Sequence, residues 1–189
     1  GGDALAALLS GEENFSGRLP FTYPKYVNKF AVYDYKPSES QGMMSGSYNY
    51  NAVMDIQWPF GHGMSYTAFE YSNMTVSASE FDSDDVLKVT VDVANVGARA
   101  GKESVLLYSS DLYASSTPDV RRLRAFDKVE LAPGEMTTVE FELSAKDLAF
   151  ADYYGKWTLE KGDFILSVGN LSQKITCTET VLWDEPNID

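Results

Sequence analysis

From Tyr66 onward the chain alternates. In "VLKVTVDVANVG", Leu87, Val89, Val91 and Val93 fall on one side and Lys88, Thr90 and Asp92 on the other. That period of two marks a half-buried strand. "TTVEFEL" repeats it, with Val139, Phe141 and Leu143 inward and Thr138, Glu140 and Glu142 outward. "DFILSVG" offers Phe164, Leu166 and Val168, and "KITCTETV" offers Ile175 and Cys177. "FEYSNMTVSA", "ESVLLYSSD" and "RAFDKVEL" complete the set. Turn residues separate the runs: "APGE" at 132–135 places Pro then Gly between two of them, and "NVGARAG" and "VGNLS" interrupt the pattern between others. Residues 1–65 read differently. Ala4, Leu5, Leu8 and Leu9 recur at helical spacing and Gly11 suits a C-terminal stop. One short helix follows, then a short strand in "GRLPFTYP" interrupted by Pro20 and Pro24, then a polar Gly/Ser-rich loop.

About seven short strands with turns between them predict an antiparallel β-sandwich. Cys177 is the one cysteine, which argues against a disulfide-linked immunoglobulin domain and for a fibronectin type III-like one. The predicted class is therefore mainly β, with the sandwich over 66–183, a connector over 58–65 and a tail over 184–189. Residues 1–57, one helix, one strand and a long loop, cannot close a core alone. They read as the tail of an α/β domain whose other elements lie upstream. The loop over 36–55 is expected to be the least ordered part.

Composition narrows the partners. The 189 residues are 44% hydrophobic and 13% aromatic, enough for a true core, and carry a net charge of −13. That charge argues against nucleic acid, whose phosphates demand a positive face, and against anionic membranes. No apolar run approaches the roughly 20 residues that span a bilayer. The N-terminus lacks the basic start and cleavage site of a signal peptide, and a mature secreted product would lack them too. The compartment stays open on these grounds, with a periplasmic or secreted location carried as the expectation. A lone cysteine and a lone histidine, His62, leave no zinc site, and no cofactor is called for. "DSDD" at 82–85 hints at calcium but lacks the glycine and distal glutamate of an EF-hand, so an acidic turn is expected there.

Several successive blocks carry a family likeness. "LLSGEENFSGRLPFTYP", "WPFGHGMSYTAFEYSNM", "VDVANVGARAGKESVLLYSSD", "LRAFDKVELAPGE" and "FELSAKDLAFAD", in this order, resemble the C-terminal part of family 3 glycoside hydrolases, of β-glucosidase and β-xylosidase type. The resemblance implies an upstream (β/α)8-type barrel and α/β sandwich domain as partners, residues 1–57 being the C-terminal remnant of that α/β sandwich domain, with a β-linked oligosaccharide or glycoside as the parent's substrate. Retaining glycosidases need two carboxyl groups about 5–5.5 Å apart. The resemblance places both upstream of Gly1, and no position here matches the motif around either. No catalytic residue is therefore assigned, and the chain alone is expected to be inert. An accessory, bracing role follows; a carbohydrate-binding module is the alternative.

The stretch "WPFGHGMSY" holds the sharpest local choice. His62 suits a general base or a sugar donor, but no second histidine or nucleophile motif accompanies it. Flanking glycines permit a tight backbone course, and Trp58, Phe60 and Tyr66 supply apolar mass. With Arg18, whose planar fork suits a carboxylate, these residues are assigned to a domain interface. Tyr33, Asp34, Tyr35, Tyr48, Asn49 and Tyr50 are the substrate-proximal candidates, since aromatic faces stack on sugars while Asp and Asn bond hydroxyls. A polar connector is the equal alternative. Asn14, Asn73 and Asn170 each begin an N-x-S/T triplet.

Overall fold

The computed structural model describes residues 1–27, 29–40 and 54–183. Helix α1 spans Gly2–Ser10 and ends at Gly11, whose N–H bonds the Leu8 carbonyl at 3.3 Å. Two short strands follow, β1 (Tyr23–Pro24) and β2 (Ile56–Trp58), with a 3-10 turn at Pro37–Ser40 between them. The sandwich strands are β3 (Phe69–Val76), β4 (Glu80–Phe81), β5 (Val86–Asn95), β6 (Gly101–Asp111), β7 (Arg122–Leu131) and β8 (Met136–Ser144). After a 3-10 turn at Ala145–Leu148 come β9 (Phe150–Ala151), β10 (Trp157–Leu159), β11 (Gly162–Val168), β12 (Leu171–Cys177) and β13 (Val181–Trp183).

Two sheets face each other. One has five strands in the order β4-β12-β11-β6-β7, and the other has three, β3-β5-β8. Every pairing in them is antiparallel except β4 on β12. The seven runs that alternate in sequence are β3, β5, β6, β7, β8, β11 and β12. Their inward positions make the core: Val89, Val91 and Val93 from β5 meet Leu107, Leu166 and Ile175 from the opposite sheet, all at 0% exposure. Full burial of each such side chain stabilises by about 1.5–3 kcal/mol. Cys177 sits in the same core as a buried thiol.

Shorter elements fall outside the periodic pattern. β1 pairs with β2, and Trp58, expected to begin a connector, closes that ribbon opposite Tyr23. β9, β10 and β13 form a separate three-stranded sheet with Trp157 opposite Trp183. The acidic "DSDD" stretch is a turn held by its own carboxylates: Asp85 accepts from the Asp82 N–H at 2.9 Å and Asp82 from the Asp84 N–H at 3.0 Å. Most of the loop expected to be least ordered lies outside the described residues.

Candidate functional site

Residues 11–22 and 58–66 run together over the sandwich, joined by backbone bonds. The Leu19 N–H donates to the His62 carbonyl at 2.8 Å and the Gly61 N–H to the Leu19 carbonyl at 2.9 Å. Close packing explains the glycines. A Cβ on Gly61 would lie 2.8 Å from Cδ1 of Leu106, and one on Gly63 would lie 2.5 Å from the Gly17 carbonyl oxygen. Gly61 also has φ +79°, where an L side chain is strained.

The aromatics clamp this strip. Phe60 stacks on Tyr33 with centroids 4.5 Å apart, and Tyr33 stands edge-on to Tyr108 of β6. Trp58 meets Tyr23 edge-on at 5.2 Å and lies nearly parallel to the His62 ring at 6.4 Å. The Tyr66 hydroxyl donates to the Leu8 carbonyl at 2.8 Å, and its ring packs against Phe15 and beneath the Arg99 guanidinium. Asn14 ties three segments together: its amide nitrogen donates to the Ala100 carbonyl, and its oxygen accepts from Ser65 Oγ and the Tyr66 N–H. Its nitrogen is thus committed to the fold, although Asn14 heads a glycosylation triplet.

Arg18 lies at the centre. It donates to the Gly63 carbonyl at 2.9 Å and forms an ion pair with Glu103, whose carboxylate also accepts from the Tyr71 hydroxyl at 2.7 Å. Glu103 is 5% exposed. Burial, followed by the hydrogen bond to Glu103 and its charge, pushes the Tyr71 phenol well above its ordinary range. Glu103 belongs to β6 and shares parity with Val105 and Leu107. A carboxylate on an inward register is a legible signal of a buried partner, and sequence reasoning passed it by. Asn95, fully buried at the end of the β5 apolar row, is a second such signal; its amide caps the Leu131 and Arg99 carbonyls.

Arg18, Phe60 and His62 thus come together with Tyr33 along one face of β6. Trp58 and Tyr66 flank them, at 41% and 43% exposure. Tyr35 contributes a carbonyl to the Val120 N–H, and Asp34 is half-buried. Tyr48, Asn49 and Tyr50 lie outside the described residues. Tyr33 has one ring face covered by Phe60, which removes that face from sugar stacking.

Chemistry is sparse. Among the described residues no group of three or more His, Cys, Asp or Glu could hold a metal. Asp111 has its carboxyl raised to about 6, chiefly by burial, and it lines a cavity of about 290 Å³ with Asp119. Asp119 gives one oxygen to Lys36 at 3.1 Å and the other to Arg122 at 2.9 Å. Both of its oxygens are thus held in ion pairs.

Comparison with known proteins fits this anatomy. Residues 1–66 match the family described as glycosyl hydrolase family 3 C-terminal domain, and residues 103–172 match the fibronectin type III-like domain. Thermostable beta-glucosidase B of Acetivibrio thermocellus is 38% identical over 95% of the chain and 25% of its own length. The lysosomal beta glucosidase of Dictyostelium discoideum is 40% identical over 90% of the chain and 21% of its own length. Among solved structures, a β-glucosidase from Erythrobacter marinus superposes with a TM-score of 0.83 at 35% identity, covering 94% of this chain and 24% of that one. The chain spans about a quarter of the length of the curated relatives it matches.

Proposed function

The chain belongs to glycoside hydrolase family 3, carrying sequence of its C-terminal domain and the fibronectin type III-like domain, and on that premise we propose that it braces the catalytic domains of a β-glycosidase. Hydrolysis of terminal β-linked sugars is then the work of carboxylates elsewhere in the enzyme. The observation that carries this reading is the face presented by α1 and the β1–β2 ribbon. No residue of α1 is buried, and Leu9 is 68% exposed. Phe21, Phe30 and Met64, at 50%, 78% and 78% exposure, are further exposed apolar side chains outside the helix. Large apolar side chains left this exposed across one region of the chain fit an interface. The sandwich needs none of it for its core, so the complementary surface is an α/β domain of the same enzyme.

Purified chain assayed on an aryl β-glucoside tests the proposal. The expected result is no turnover above buffer. Activity that co-purifies with the chain through successive columns overturns the accessory role.

A further inference from the structure

The cavity of about 290 Å³ lies away from the 58–66 strip, between β6, β7, the 112–121 loop and the β9–β10 pair. Lys36, Ser109, Asp111, Arg122, Arg124 and Trp157 are among its lining residues. Arg124 is its unusual member. Burial first, then repulsion from Arg122, pulls its guanidinium down to about 10. Among the described residues its one hydrogen bond runs from Nε to Ser109 Oγ, at 2.7 Å. Among the described residues its two terminal nitrogens have no hydrogen-bond partner, and they are not among the sealed unpartnered atoms.

Each nearby carboxylate has a partner other than Arg124. Asp119 holds Lys36 and Arg122. Asp147 accepts from the Ser144 N–H at 2.8 Å and from its hydroxyl at 2.7 Å, closing the 3-10 turn. Asp111 accepts from the Tyr113 N–H at 3.1 Å and has its carboxyl pushed toward the neutral form by burial. A largely desolvated guanidinium with its fork open is the complement of a bidentate carboxylate. The other lining residues fit a sugar: Trp157 and Phe150 are aromatic, while Ser109, Ser116 and Thr117 carry hydroxyls. A cavity of this volume admits a ligand of about monosaccharide size.

We propose that this cavity binds a small hydroxylated carboxylate, a sugar acid, through the two terminal nitrogens of Arg124. The assignment does not rest on the accessory role above, since it concerns the sandwich end of the chain and requires no catalytic partner.

The test is a titration of the 189-residue chain with sodium glucuronate, followed by NMR at the Trp157 indole N–H and the Arg124 Nε–H. Glucose and inorganic phosphate are run in parallel. Saturable shifts at both groups with glucuronate are expected, with glucose at least about tenfold weaker, as loss of one charge-assisted bidentate contact predicts. Arg124→Gln should weaken glucuronate by a similar factor, while Arg124→Lys should restore some of it. Should Arg124→Gln fail to fold, the wild-type titration still decides. No shift at Trp157 and Arg124, equal binding of glucose, or binding of phosphate alone overturns the proposal. So does glucuronate binding that Arg124→Gln leaves unchanged.

Discussion

Two residues show how a buried charge is managed in this fold. Glu103 is almost sealed from water, and Arg18 and Tyr71 satisfy its two oxygens. Removing the cation while keeping its aliphatic stem, by Arg18→Met, leaves that carboxylate short of a partner. A loss of about 2–3 kcal/mol in urea unfolding is expected. Glu103→Gln in the same background should recover some of it, and a double-mutant cycle with no coupling would contradict the pairing. Asp111 makes the opposite case. Burial holds its carboxyl at about 6 against an ordinary 3.8, so the folded chain holds this proton more tightly than the unfolded one. Its contribution to stability is full below the unfolded value and is lost as pH rises through about 6. Asp111→Asn, which keeps an acceptor for the Tyr113 N–H, should therefore stabilise the chain by about 1 kcal/mol at about pH 8, after discounting for partial exposure. That gain should fade below about pH 4. Thermal melts across that range check the sign.

At the scale of elements, α1 and β6 occupy opposite ends of the energetic range. The helix forms locally, with Asp3 in its first turn and Gly11 at its end, yet its apolar residues meet little of this chain. Leu5→Glu with Leu9→Glu should change the stability of the chain by under about 0.5 kcal/mol, as for exposed positions generally. Leu107→Ala, in the fully buried centre of β6, should cost about 3 kcal/mol. Equal losses in chemical denaturation would mean that α1 is packed in solution. The same contrast governs what could be read in advance. β5 and β8 are ten and nine residues long, and an alternating row of that length determines both strand and face. β9 and β4 are two residues long, too short for any period. They exist because neighbouring strands offer free edges.

At the scale of the molecule, two surfaces do different work. The sandwich buries its own apolar rows, while α1 leaves Leu5 and Leu9 exposed. Residue types leave the glycine-rich motif at 58–66 between a connector and a catalytic site, and the contacts account for its glycines: the backbone at Gly61 and Gly63 passes too close to Leu106 and Gly17 for a side chain. The cavity around Arg124 had no such signal. Its residues come from Lys36, β6, β7 and β10, separated in the chain and joined only by folding. By itself the sequence determined the seven long strands, the inward faces of β5, β8, β11 and β12, the helix with its stop, and the family blocks, because each depends on spacings within one segment. Tertiary structure alone decided the β1–β2 ribbon, the Arg18–Glu103–Tyr71 cluster and the cavity, because pairing between distant segments depends on which surfaces meet once the sheets have closed.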